Sequence, residues 1–191
     1  MPTPEKPSYL GLLNAISLAE TSAGVYLRAW ADATDDGELA CTLRFVAARE
    51  SSHGEVFRRR LNELGFDVKP KHDPAAEKRL AKLANPKIAD IDKLPGRSEE
   101  AEDPFAEIRT QMAEGVYDPM TANLLNWYIT EEYDSGRRLR EAYGCVREKA
   151  NGHAAPSLSL PSADAEAIMA CMSAGFTRLE KSLEKLAKAV K

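Results

Sequence analysis

Cysteine is scarce. Cys41, Cys145 and Cys171 are the three in 191 residues. They are odd in number, far apart and set in helical pattern, so there is neither a disulfide framework nor a Cys-x-x-Cys metal knuckle. They read as reduced residues at or near the core. Phosphate-cradling glycine loops are missing too: Gly11 and Gly24 match no P-loop, and no Gly-x-Ser-x-Gly elbow occurs. With a net charge of −4, the chain gives no support for a nucleic-acid partner. No apolar run approaches the roughly 20 residues of a membrane span. The opening Met-Pro-Thr-Pro-Glu-Lys-Pro lacks the apolar stretch of a secretory signal. The expected compartment is the cytoplasm, with no membrane involved. Aromatic residues make up only 7% and β-branched runs are few, whereas Ala, Leu, Glu, Lys and Arg abound. That balance favours an all-α fold. Histidine is as rare as cysteine, and His72 and His153 lie in polar connections where solvation accounts for them. His53 alone falls within a helical pattern.

What is present is periodicity. After a proline-rich lead-in over 1–7, the spacing predicts helices over about 8–33 and 37–65, the second capped by Gly65. The turn between them, Thr34-Asp35-Asp36-Gly37, has the composition of a tight helix–helix connection. The apolar stripe of the first helix runs through Leu13, Ile16 or Ser17, Ala23 or Gly24, and Leu27, with Glu20 in its middle. The stripe of the second runs through Leu43, Val46, Phe57 and Leu61 or Leu64, with Glu50 and His53 in its middle. Residues three apart on a helix share a face, and a carboxylate and an imidazole on a buried face are costly unless something pairs with them. The hairpin midpoint lies near residue 35, with Glu20 fifteen residues before it and Glu50 fifteen after it. Each is therefore about 22 Å along its helix at 1.5 Å per residue. The two carboxylates should meet at one height.

Residues 66–117 change character. Five prolines between 70 and 104 and dense charge predict a short helix near 74–84, a turn near 86–93 and a helical piece over 104–114 in an otherwise extended crossover, broken at Gly115. Asp118-Pro119 then reads as an N-cap followed by proline at the first helical position. The helix it opens runs to about Lys149, with Leu125, Tyr128 or Ile129, Glu132, Ser135 or Gly136, Leu139 and Tyr143 on one stripe. A loop over 151–161 leads to a last helix from Ser162 with a leucine stripe, which reads as core or, secondarily, as a homodimer contact. The whole of 1–191 is expected to form one domain.

A hairpin, one long crossover between helices two and three, and a second pair of helices describe the ferritin-like bundle. On Glu20 and Glu50-Ser51-Ser52-His53, the chain resembles the rubrerythrin-like branch of that superfamily over about residues 9–65, and in layout beyond. The resemblance implies that these residues hold one side of a di-iron or di-manganese centre. It also implies a glutamate on the third helix, for which Glu132 leads, followed by Glu131 and then Asp134, and a second Glu-x-x-His on the fourth. There the chain departs from the pattern: Glu180-Lys181-Ser182-Leu183 and Glu166-Ala167-Ile168-Met169 lack the histidine. A single Fe or Mn ion, with Zn as an opportunist, fits the ligand count better than two equal positions. No cysteine-based rubredoxin-type module is present.

Two readings stand side by side. In one, Glu20, Glu50, His53 and Glu132 bind a metal for oxygen, peroxide or iron redox chemistry. In the other, they form a buried hydrogen-bond network in a non-catalytic interaction protein, with His53 paired to Glu20 and an arginine on Glu50. The 66–104 crossover would then meet a protein partner. Arg137, Arg138 and Arg140 are the candidates to neutralise a buried carboxylate. An apolar small-molecule pocket between helices is a third option.

Overall fold

The turn at 34–36 folds the first two helices against each other, and the remaining elements are laid along that hairpin. A computed structural model describes residues 6–96 and 103–152, all within the first of two compact units, Met1–His153 and Ala154–Lys191. The expected last helix, with Glu166, Cys171 and Glu180, lies outside the described residues, as do His153 and the one-domain reading of 1–191. Among the described residues every regular element is helical: α1 (Leu10–Ala33), α2 (Gly37–Glu63), α3 (Ala76–Leu83), α4 (Asp90–Lys93), α5 (Ala106–Ala113) and α6 (Pro119–Ala150).

Local chemistry sets the boundaries. The Asp36 carboxylate caps α2 by accepting from the amides of Glu38 and Leu39 at 3.1 and 3.2 Å. Asp118 caps α6 in the same way, accepting from Met120 and Thr121 at 3.0 and 3.1 Å, with Pro119 next in the chain. Gly65 and Gly115 stop α2 and α5 with φ of 86° and 73°, a left-handed conformation that other residues resist.

Contacts along the chain fix the direction of each element. α2 runs antiparallel to α1. The crossover then climbs α1: Lys69 donates to Asn14 at 2.7 Å, Arg79 reaches Tyr26, and Asp90 accepts from Trp30 Nε1 and Thr34 Oγ1 at 2.7 and 2.5 Å. Buried Lys93, 3.7 Å from Asp90, closes that end. α5 comes back down, from Phe105 beside Tyr128 to Tyr117 against Tyr9. α6 then rises from Asp118, bonded to Tyr9 and Arg60, to Lys149, bonded to Asp36 at 2.6 Å. It therefore runs parallel to α1 and antiparallel to α2.

Two apolar clusters result. One joins Leu13, Ile16, Phe57, Leu61, Leu125, Tyr128 and Ile129. The other joins Trp30, Leu39, Leu43 and Val146. Burying a side chain of this size contributes about 1.5–3 kcal/mol. A polar layer of Ser17, Glu20, Glu50, His53 and Ser135 lies between the clusters.

One sequence expectation needs correction. Cys41 is exposed and Cys145 half-buried, because both fall off the apolar stripes of their helices. α1 is 24 residues long, and its most apolar 18-residue stretch has a mean hydropathy of 1.2, enough by length and composition alone to cross a membrane. Its alanines, leucines and few charges reach that average, although its inward stripe carries a buried glutamate.

Two glycines let α1 and α2 approach closely enough to align their acids. A Cβ on Gly54 would strike Thr21 Oγ1 and lie 2.9 Å from Thr21 N and 3.1 Å from the Ser17 carbonyl oxygen. On Gly24 it would strike Ser51 Oγ and lie 3.0 Å from the Ala47 carbonyl oxygen. A backbone clash of this kind costs roughly 1–3 kcal/mol, more than the helix-propensity gain of about 1 kcal/mol from glycine to alanine. Gly54→Ala should therefore destabilise the protein in urea denaturation. Gly144, in α6 with nothing within 4 Å of its would-be Cβ, supplies the opposite sign: Gly144→Ala should stabilise by about 0.5–1 kcal/mol.

Candidate metal centre

Heptad-like spacing delivers the polar residues to one layer. Glu20 is four residues past Ile16 on the inward stripe of α1. Glu50 and His53 continue the line from Val46 on α2, and Glu132 lies one turn past Tyr128 on α6. The structure brings all four together: each offers one ligand atom, and these atoms lie within 4.8 Å of one another. Glu20, Glu50 and His53 are buried, His53 with no exposed surface at all. Ligands on opposite sides of an ion at about 2.1–2.2 Å are about 4.3 Å apart. Coordination would thus require a contraction on the order of half an ångström.

The hydrogen bonds are unevenly shared. Tyr128 donates its hydroxyl to Glu20 Oε1 at 2.6 Å. His53 Nδ1 lies 3.3 Å from Glu50 Oε2 and 3.1 Å from Glu132 Oε1. One Nδ1 proton cannot point at both, and it is aligned with Glu50; Glu132 Oε1 is left buried without a hydrogen-bond partner. On the other side of the ring, Nε2 lies 2.8 Å from Glu131 Oε2. Trp127 and Tyr128 meet the imidazole edge-on, with centroids at 4.9 and 5.2 Å.

Glu131 and Glu132 thus both face His53, from the two sides of its ring. Asp134 does not join them: Arg138, Arg137 and Arg49 hold it, pulling its carboxyl far below the ordinary range. The neutralising arginine nearest the site is Arg49, on α2. Its Nη1 donates to the Glu131 carbonyl at 3.1 Å, Asp134 at 3.0 Å and Ser135 Oγ at 3.3 Å, while its Nε lies 3.7 Å from Glu131 Oε2. Arg137 and Arg138 are spent on Asp134 and, for Arg137, also on Glu141. Glu50 has no arginine partner among the described residues, and His53 pairs with Glu50, Glu131 and Glu132 rather than with Glu20.

Crowded acids hold protons. Burial pushes the Glu20 carboxyl up to about 7, helped by the Glu50 carboxyl beside it and opposed by the Tyr128 hydrogen bond. Burial pulls His53 down, but the Glu132, Glu50 and Glu131 carboxylates around the ring outweigh it and raise the imidazole to about 10. Without a cation, the negative charge of this layer is partly offset by protons retained on Glu20 and His53. A divalent ion could take the place of both.

Linkage gives a direction for stability. Glu20, raised from about 4.5, stabilises the fold in acid and loses that contribution as pH rises to about 7. His53, raised from 6.5, loses its contribution between there and about 10. Asp118 and Asp134, both depressed, act oppositely and only in strong acid. The melting temperature of metal-free protein should therefore fall steadily from pH 5 to pH 9. Glu20→Gln should flatten the part below pH 7. A melting temperature that rises over this range would contradict the assignment.

Comparisons with protein-family models, with characterised proteins and with solved structures found no match to this chain.

Proposed function

We propose that this chain is a cytosolic ferritin-like protein that binds one divalent transition metal, iron or manganese, through Glu20, Glu50, His53 and Glu132. The observation that carries the reading is Glu132 Oε1, buried without a donor beside an imidazole whose proton is directed elsewhere. A buried acceptor without a hydrogen bond costs about 1–3 kcal/mol; the imidazole 3.1 Å away offsets part of that as an ion pair, and a cation within the layer would remove the rest. Three carboxylates with one imidazole suit Fe(II) or Mn(II), with Zn(II) as an adventitious occupant.

In this reading α6 is the third long helix and carries the glutamate expected there, Glu132; the helix expected from Ser162, where the family has its second Glu-x-x-His, lies outside the described residues. Arg49 donates to Ser135 on the same helix, and its positive charge favours one ion over two.

A bound ion with open positions would supply a centre for oxygen or peroxide activation, or for oxidation of the ferrous ion itself. The chain's own residues have simpler tasks. Tyr128 holds the Glu20 carboxylate in place, and the two apolar clusters keep bulk water from the layer. Glu20 and His53 release their protons as the ion binds.

The second reading is a protein-only network in an interaction protein. It is favoured by the full occupancy of both His53 nitrogens and by the Tyr128–Glu20 bond. Melting with and without Mn(II) separates the two. At a hundredfold excess over Kd a ligand adds about 2.7 kcal/mol, which is roughly 5–10 °C for a domain of about 150 residues. Wild type should shift by that amount, and Glu50→Ala and His53→Ala should not shift. An unshifted wild type would leave the network reading in place.

A further inference from the structure

Resting on the ligand reading above, we propose that Glu131 and Arg49 are a positioning pair. They fix the His53 ring so that Nδ1 faces Glu50 and Glu132 and Nε2 takes no part in ion binding. An imidazole has two possible ligand atoms, and the hydrogen bond made by one nitrogen decides which is available. The shortest polar contact of the ring is the 2.8 Å from Nε2 to Glu131; both Nδ1 contacts exceed 3.0 Å. Turning the ring over would put carbon against Glu131 and against the Glu50–Glu132 side, losing both sets of contacts at once.

Glu131 needs support of its own. Its side chain is about a third exposed, so without a tether it would swing toward water. Arg49, itself only 16% exposed, supplies the tether from α2. The guanidinium is held in turn by Asp134 at 3.0 Å and lies over the Phe45 ring, 4.8 Å from its centroid, with Arg138 over the same ring at 4.7 Å. A continuous set of charged contacts thus leads from the surface of α6 to a fully buried imidazole. Two consecutive glutamates divide the work: Glu132 offers a bare oxygen to the ion, and Glu131 holds the ring that offers the nitrogen.

The test is Mn(II) affinity, measured by competition against a fluorescent chelator, for wild type, Glu131→Ala, Glu131→Gln and Arg49→Ala. Loss of an outer-shell partner of a metal-bound histidine weakens binding about 10–100-fold. Glu131→Ala should show that loss. Glu131→Gln should recover most of it, because the amide oxygen still accepts the Nε2 proton, and Arg49→Ala should fall between. In metal-free protein, the proton on His53 Nε2 should give a downfield, slowly exchanging NMR signal that Glu131→Gln keeps and Glu131→Ala loses. Affinity of Glu131→Ala within twofold of wild type, glutamine no better than alanine, or an NMR signal that survives in Glu131→Ala would each overturn the proposal. A wild type that binds no Mn(II) at all would remove the ligand reading and this inference with it.

Discussion

Four carboxylates gathered around one imidazole, in a layer sealed above and below by apolar side chains, repel one another. The fold tolerates them because protons or a cation offset the repulsion. Everything else in the described unit serves that layer. Gly24 and Gly54 bring α1 and α2 into near contact, so the acid of one helix reaches the acid of the other. The cluster around Phe57 and Leu125 and the cluster around Trp30 and Leu43 exclude water on either side. Tyr128, backed by Phe105 and Phe57, aims its hydroxyl at Glu20. Removing the charges would not remove the need for these elements, but it would remove the reason for their arrangement.

The layer also explains the placement of charge at its edge. Arg49 is the arginine of α2 that reaches the edge of the layer, and it stops at Glu131, Asp134 and Ser135. A guanidinium deeper in the layer would satisfy the acids permanently and leave nothing for an ion to do. The observed arrangement keeps the guanidinium on the Glu131 side, while Glu132 Oε1 stays without a hydrogen bond on the other. On the proposed ligand reading, that asymmetry between neighbouring glutamates is what would distinguish an exchangeable counter-charge from a static ion-pair network.

Much of this was legible in the sequence because helices obey simple periods. The stripes through Leu13, Glu20 and Gly24, and through Leu43, Glu50 and Phe57, follow from 3.6 residues per turn, and the common height of Glu20 and Glu50 needed only the turn position. Asp118 and Pro119 announced a helix start through capping chemistry, whereas Asp36 reads only as part of the turn. What could not be read was rotation finer than one residue. Glu131 and Glu132 differ by about 100° on α6, so sequence spacing had to choose between them, whereas the imidazole reaches both. Arg49 adjoins Glu50 in the chain, but its extended side chain crosses to α6, and only packing on Phe45 decides that course. The exposure of Cys41 was there to be read, since it falls off the stripe of α2; the direction of α6 depends on how the short crossover helices settle, which periodicity does not encode.

The most direct measurement is an anomalous difference map, recorded at the manganese edge, from crystals grown with Mn(II). The account predicts one peak in the layer, with oxygens of Glu20, Glu50 and Glu132 and Nδ1 of His53 at about 2.0–2.3 Å, and Nε2 still on Glu131. A map without that peak, with Glu132 satisfied by a water or a proton and the Nδ1–Glu50 bond intact, would contradict it.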